Sequence, residues 1–218
     1  GFCRSTDYTN AGTLTVSPLV ANVNPASAVI CNGAIQQLTI TNITSPLPGN
    51  VNVASGPISI AVPDSPTNPP IPTVLAGVNT ALTVAGIPAA AVITGISVKF
   101  NMTHTWCGDM VMVLKAPNGQ ILNLDYFLNS TGGVGATTGF VNTVISSAGT
   151  AALSSVTNLY TGIFRADRSL AVGTTPAGPT GFAPTTNLWT GLYTNGASAN
   201  GTWTLAMYDG GAGDVGTL

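Results

Sequence analysis

The sequence predicts an all-β fold, a jelly-roll β-sandwich preceded by a short β arm. Three observations carry that expectation. Charged residues are 6% of the chain, against about 25% in an ordinary soluble domain. All seven acids are Asp, so Glu, Lys and Arg, the usual solvated helix-surface residues, are absent or scarce. Thr, Ser, Asn and Gly must then supply the polar surface, and they suit strands and turns better than helices. Finally, short apolar segments recur with turn signals every ~8–12 residues, the spacing of a sandwich or jelly roll.

The 218 residues are enough for one sizeable domain and an arm. Residues 1–18 read as the end strand of a preceding module, 19–56 as a β arm or linker, and 57–218 as the main domain. The net charge of -2 leaves no basic patch for nucleic acid or an anionic membrane. No apolar run reaches the ~18 residues of a membrane helix, so no membrane insertion is expected. Gly1-Phe2-Cys3 opens without a signal-like stretch, and any targeting segment is expected outside this sequence. A secreted, Thr-rich domain fits this composition. So few charges give little protection against association, and a surface covered by neighbouring copies or by glycans is the sharper expectation.

The arm carries Thr13 to Val16, an alternating strand closed by Pro18, and a second strand candidate from Gln37 to Thr44. Ile58 to Asp64 reads as a short strand running into a turn. The prolines from Pro66 to Pro72 make a stiff linker or long loop. Strands resume at Val74-Leu75, Ala81 to Val84 and Ile93 to Met102. A short corner at Thr105 to Gly108 then leads into a strand that Pro117-Asn118-Gly119 turns back, because Asn-Gly tolerates the positive φ of a hairpin. Ile121 to Leu128 returns, and Thr131 to Gly139 is a Gly/Thr loop. Phe140 to Ile145 reads as a strand, and Ala148 to Val156 as either loop or one helical turn. Tyr160 to Asp167 follows, then a Pro/Gly/Thr loop over 171–187. In the closing strand, Thr202 to Asp209, Trp203, Leu205 and Met207 share a face, which makes Trp203 a core residue.

Cys3, Cys31 and Cys107 are an odd set. One disulfide with one leftover thiol is the simplest extracellular arrangement. Cys3 with Cys31 would tie the arm together, but three pairings remain open. No Cys pair has zinc-finger spacing. Asn42, Asn101, Asn129 and Asn200 begin Asn-x-Ser/Thr sequons.

From Pro57 onward the chain resembles the P domain, the jelly roll that follows the catalytic domain of kexin- and furin-type subtilases and stands alone in many secreted bacterial proteins. Ile58 to Asp64 is similar to the family's opening piece. His104-Thr105-Trp106-Cys107-Gly108-Asp109-Met110, with Leu114, Pro117 and Gly119, is similar to its His-Thr-x-x-Gly-Asp piece. Tyr160 to Asp167 resembles a third piece, with Ala166 where the family has Pro. Asn200 to Leu205, Asp209 and Gly213 to Leu218 resemble the last. Ser146 and Ser147 stand where the family has an acid. The family continues into a further strand beyond the motif that ends here at Leu218, so the jelly roll is expected to lack its last strand and to leave an edge for another chain. The arm resembles the junction of immunoglobulin-like repeats in Bacteroidota surface proteins, through Gly12 to Val16 and Cys31-Asn32-Gly33, with a complete repeat missing.

No catalytic machinery is expected. His104 is the only histidine, and the resemblance implies a packing and hydrogen-bonding role for it, as for Trp106, Gly108, Asp109 and Trp203. Without Glu, a paired-carboxylate hydrolase is also disfavoured. Calcium is the one candidate cofactor. It takes six to eight hard oxygens, and Asp109, Asp125, Asp209 and Asp214 lie near strand ends, the last two bounding a Gly-rich loop. The competing reading is that these acids cap turns. Trp106, Trp189 and Trp203 lie too far apart in sequence to argue strongly for a glycan platform. The expected role is a non-catalytic structural or adhesive module of a larger secreted cell-surface or filament protein, partnered by its own copies or neighbouring domains. The alternatives are a stabilising accessory domain of a secreted subtilisin-like protease and a calcium-dependent adhesion or glycan-binding module.

Overall fold

The computed structural model describes residues 20–24, 39–44, 49–66, 76–126, 139–156, 159–168, 170 and 178–218. The chain divides into two units, Gly1–Asn50 and Val51–Leu218. In the first unit β1 (Val20–Asn24) pairs antiparallel with β2 (Thr39–Thr44). Thr13 to Val16, Cys3, Cys31 and the Asn32-Gly33 turn lie outside the described residues.

The second unit is all-β, with two mostly antiparallel sheets. One has four strands in the order β4 (Val78–Val84), β10 (Gly201–Asp209), β6 (Met110–Lys115), β7 (Ile121–Tyr126). The other has five, in the order β3 (Ala61–Val62), β11 (Gly216–Thr217), β5 (Ser97–His104), β8 (Phe140–Ser146), β9 (Tyr160–Phe164). One pair, β8 with β9, runs parallel. Among the described residues the helical segments are short 3-10 turns, Cys107–Asp109 and Leu153–Ser155 included. Among the described residues no helix is long and apolar enough to cross a membrane.

One apolar core lies between the sheets, as in a β-sandwich. Phe100, Met102, Phe140, Ile145, Tyr160 and Phe164 enter it from the five-stranded sheet. Met110, Met112, Leu114, Leu122, Leu124, Leu205 and Met207 enter from the other. Alternation explains β5, where Phe100, Met102 and His104 are buried and Asn101 and Thr103 exposed. β6 does not alternate. Its run Met-Val-Met-Val-Leu is buried throughout, because Phe182 and Ile121 pack with Val113 on the outer face of the sheet. A strand covered on both faces is apolar on both. Phe140 stacks on Tyr160 at 4.8 Å and sits 5.4 Å from Phe100, an aromatic row along the five-stranded sheet.

The Pro117-Asn118-Gly119 hairpin forms as expected. Gly119 has φ of 86°, and its N–H donates to the Ala116 carbonyl at 2.9 Å. The ambiguous 148–156 stretch resolves into one turn, Leu153–Ser155. The strand expected at Ile93 to Met102 is shifted, running from Ser97 to His104. Ser147 accounts for the start: its hydroxyl accepts the Ile96 N–H at 3.0 Å and its N–H donates to the Ile96 carbonyl at 2.9 Å.

Candidate functional site

The polar centre of the domain forms where the last residues of β5 and β10 meet. His104 and Asp209 close those strands, one in each sheet. The His104 Nε2 lies 3.2 Å from Asp209 Oδ2, and both side chains are fully buried. The Trp106 backbone N–H donates to His104 Nδ1 at 3.1 Å. A nitrogen that accepts an N–H carries no proton, so this bond fixes the tautomer. Nε2 then holds the proton and donates it to Asp209. The other carboxylate oxygen, Oδ1, accepts the Gly211 N–H at 3.0 Å.

The corner after β5 builds the rest. Trp106 leads into the 3-10 turn Cys107–Asp109, all three residues buried. The Gly210 N–H donates to the Asp109 carbonyl at 2.9 Å. The glycine loop can lie this close only without side chains. A Cβ on Gly211 would fall 1.8 Å from Asp109 Oδ2, and one on Gly216 would fall 2.3 Å from His104 Cδ2.

The far end of the loop is tied down in the same way. Thr105 donates its hydroxyl to Asp214 Oδ1 at 2.8 Å and accepts the Val215 N–H on the same oxygen at 3.0 Å. The Gly213 N–H points between the two oxygens of Asp64, 3.1 Å from each. Beyond it, Gly216 and Thr217 pair with His104 and Thr103. The Asp209–Asp214 loop is therefore tied to the β5 corner at both ends and to Asp64 between them.

Asp125 lies elsewhere, and a β-bulge puts it there. The pairing of β6 with β7 shifts between Met112 and Val113, so Met112 faces Asp125 while Val113 faces Asn123. Residues opposite one another share a face, so the bulge turns Asp125 to the side of Met112, a core residue. Its carboxylate is fully buried, and neither oxygen has a hydrogen-bond partner among the described residues. Burial, and then the negative charge of Asp167, hold its carboxyl well above the usual carboxylate range. The Tyr126 backbone N–H works weakly in the other direction from outside hydrogen-bonding geometry. The neighbouring Cys107 thiol is free and buried. Desolvation pushes its pKa up to about 12, with Asp125 adding to the rise.

Of the four carboxylates considered for calcium, Asp109 and Asp209 meet at the base of the glycine loop and Asp214 sits at its end, while Asp125 stands on β7. Among the described residues no three His, Cys or Asp side chains form a group suited to a metal ion. Asp209 and Asp214 spend oxygens on donors of the loop and its corner, as Asp64 does. The hydrogen bonds of Asp209, Asp214 and Asp64 are of the turn-capping kind.

Trp203 packs against the core partly buried, and its indole N–H donates to the Ala199 carbonyl at 2.9 Å. Trp189 also packs on the core. Trp106 is half-buried, and its Nε1 is buried without an acceptor among the described residues. The Asn200 side chain binds both Ile87 backbone groups, at 2.9 and 2.8 Å, so this sequon asparagine is a loop clamp. The Asp64 bond to Gly213 is a partner that sequence reading missed. Its signal was the acid after Pro63 in the opening motif piece.

No protein-family model, no curated protein and no solved structure matches this chain.

Proposed function

We propose that the chain is a non-catalytic structural or adhesive module of a large secreted polypeptide, a component of a cell surface or filament that packs against its own copies or neighbouring domains. The observation that carries this reading is the state of His104. It is the only imidazole in the chain, and both of its nitrogens are spent on internal hydrogen bonds in a buried setting. A general base must have a nitrogen free to reach a substrate or a nucleophile's proton. Here the imidazole instead ties two sheets together. The low charge content agrees with a surface meant to be covered.

The finer assignment to a P-domain-like jelly roll draws support from the way the motif pieces meet. His104 and Thr105 from one piece meet Asp209, Asp214 and Gly216 from another. The same convergence supports a second reading, an accessory domain that stabilises a secreted subtilisin-like protease. Surface digestion of intact source cells, followed by peptide identification, tests the main reading. Peptides of this chain released without lysis, from cells lacking a linked protease domain, are the expected result. Peptides found only after lysis would overturn it.

A further inference from the structure

Among the described residues the two sheets have four outer strands, and three of them are protected. β7 is covered along its length: Asp167 and Arg168 donate backbone N–H groups to Leu124 and Asn123, and Thr185 and Thr186 donate to Ile121. β9 is bridged at Phe164 by Ala151 and kinked by Gly162 at φ of 116°. β3 is two residues long and stops at Pro63. Short strands, prolines, kinks and covering segments are the ordinary ways of blunting a sheet edge.

Among the described residues β4 has none of them. It is seven residues long, without charge or proline. It pairs with β10 in unbroken register from Val78↔Met207 to Val84↔Gly201. Beyond β10, none of its backbone groups has a hydrogen-bond partner among the described residues.

We infer that β4 is a self-complementary docking edge, pairing antiparallel with β4 of a second copy about a two-fold axis at Ala81. The inference rests on the structural-module reading and names its contact. The strand reads Val-Asn-Thr-Ala-Leu-Thr-Val, and its pattern is nearly the same in both directions. Centred on Ala81, an antiparallel pair sets Val78 against Val84, Asn79 against Thr83 and Thr80 against Leu82. Asn79, Ala81 and Thr83 are exposed on one face. Val78, Thr80, Leu82 and Val84 are half-buried on the other, and the first three lie beside the core residues Met207, Leu205 and Trp203. A second copy would cover those half-buried residues and continue the sheet. An isologous contact needs one patch that complements itself, and an uncharged strand meets its own copy without repulsion.

The test uses the full chain in sedimentation from micromolar to millimolar concentration. Two double variants place like charges on the exposed face: Asn79→Lys with Thr83→Lys, and Asn79→Asp with Thr83→Asp. The inference expects a dimer from the unaltered chain, monomers from each variant alone, and a dimer from their mixture, since the register sets Lys against Asp at both positions. Unchanged circular dichroism shows that the variants fold. A monomeric unaltered chain overturns the inference and leaves the module reading to cell-surface localisation. A dimer that persists in either variant overturns the β4 contact while leaving self-association standing. Variants that fold but do not pair when mixed overturn the register.

Discussion

The His104 imidazole and the Asp209 carboxylate meet at 3.2 Å across the interior, one from each sheet, 105 residues apart in sequence. The contact is satisfied on all sides, by Trp106 on the imidazole and Gly211 on the carboxylate. A buried polar network of this kind holds one arrangement and penalises its loss, because each member removed leaves another without a partner.

Asp209→Ala strands the His104 Nε2–H and the Gly211 N–H together. Leaving two buried donors without an acceptor costs about 3 kcal/mol or more, a fall in Tm of roughly 10 °C for a domain of this size. Asp209→Asn keeps an acceptor and should lose less. Chemical denaturation of the three proteins measures the order. Equal stability of Asp209→Ala and the unaltered chain would remove the network from the account.

Gly211→Ala drives a methyl group into Asp109 Oδ2. Overpacking of this kind costs roughly 1–3 kcal/mol. The blocking atoms belong to one side chain, so the penalty should shrink in an Asp109→Ala background. A double-mutant cycle reads this as a coupling on the order of 1 kcal/mol or more. An equal cost in both backgrounds would mean that backbone strain, not the carboxylate, opposes the methyl.

Asp125 gives the fold a pH dependence of definite sign. Its folded-state pKa is raised, by burial first and Asp167 second. Its contribution to stability is therefore complete below the unfolded carboxyl range and is lost as pH rises through the folded value. Asp125→Asn removes the ionisation while keeping the shape. The variant should gain several degrees in Tm over the unaltered chain at neutral pH, and the gain should vanish toward pH ~4. Thermal melts across pH measure this. A gain that grows as pH falls would contradict the assignment.

The hydrogen bonds of Asp209 and Asp214 favour turn capping over ion binding, and on that reading removing calcium leaves the melt unmoved. A ligand that binds only the folded state raises the midpoint. Scans in calcium and in EDTA should coincide. A higher Tm in calcium would overturn the turn-cap reading and favour the calcium-dependent adhesion module.

The local patterns were the legible part. β10 was readable because Trp203, Leu205 and Met207 alternate onto the core face, and the Asn118-Gly119 turn because few other pairs tolerate its backbone. The corner from Thr105 to Gly108 was read as a break between strands, and the structure has it between β5 and β6. Less could be read where the outcome depends on pairing partners. Nothing local says that β8 and β9 run parallel, or that His104 finds Asp209. Asp125 was read as lying near a strand end. Its burial follows from a bulge in the β6–β7 register, which is set by two strands together. β4 extends back to Val78 from the Ala81 to Val84 segment recognised in sequence, because pairing with β10 carries residues whose own alternation is weak.

The most direct measurement of the central claim is a peptide map, with intact mass, of the native polypeptide that carries this chain. The account predicts further Thr-rich β sequence linked to it and no catalytic domain. Linkage to segments bearing the catalytic Asp, His and Ser of a subtilisin-like protease would contradict it, and would make this domain the accessory part of an enzyme.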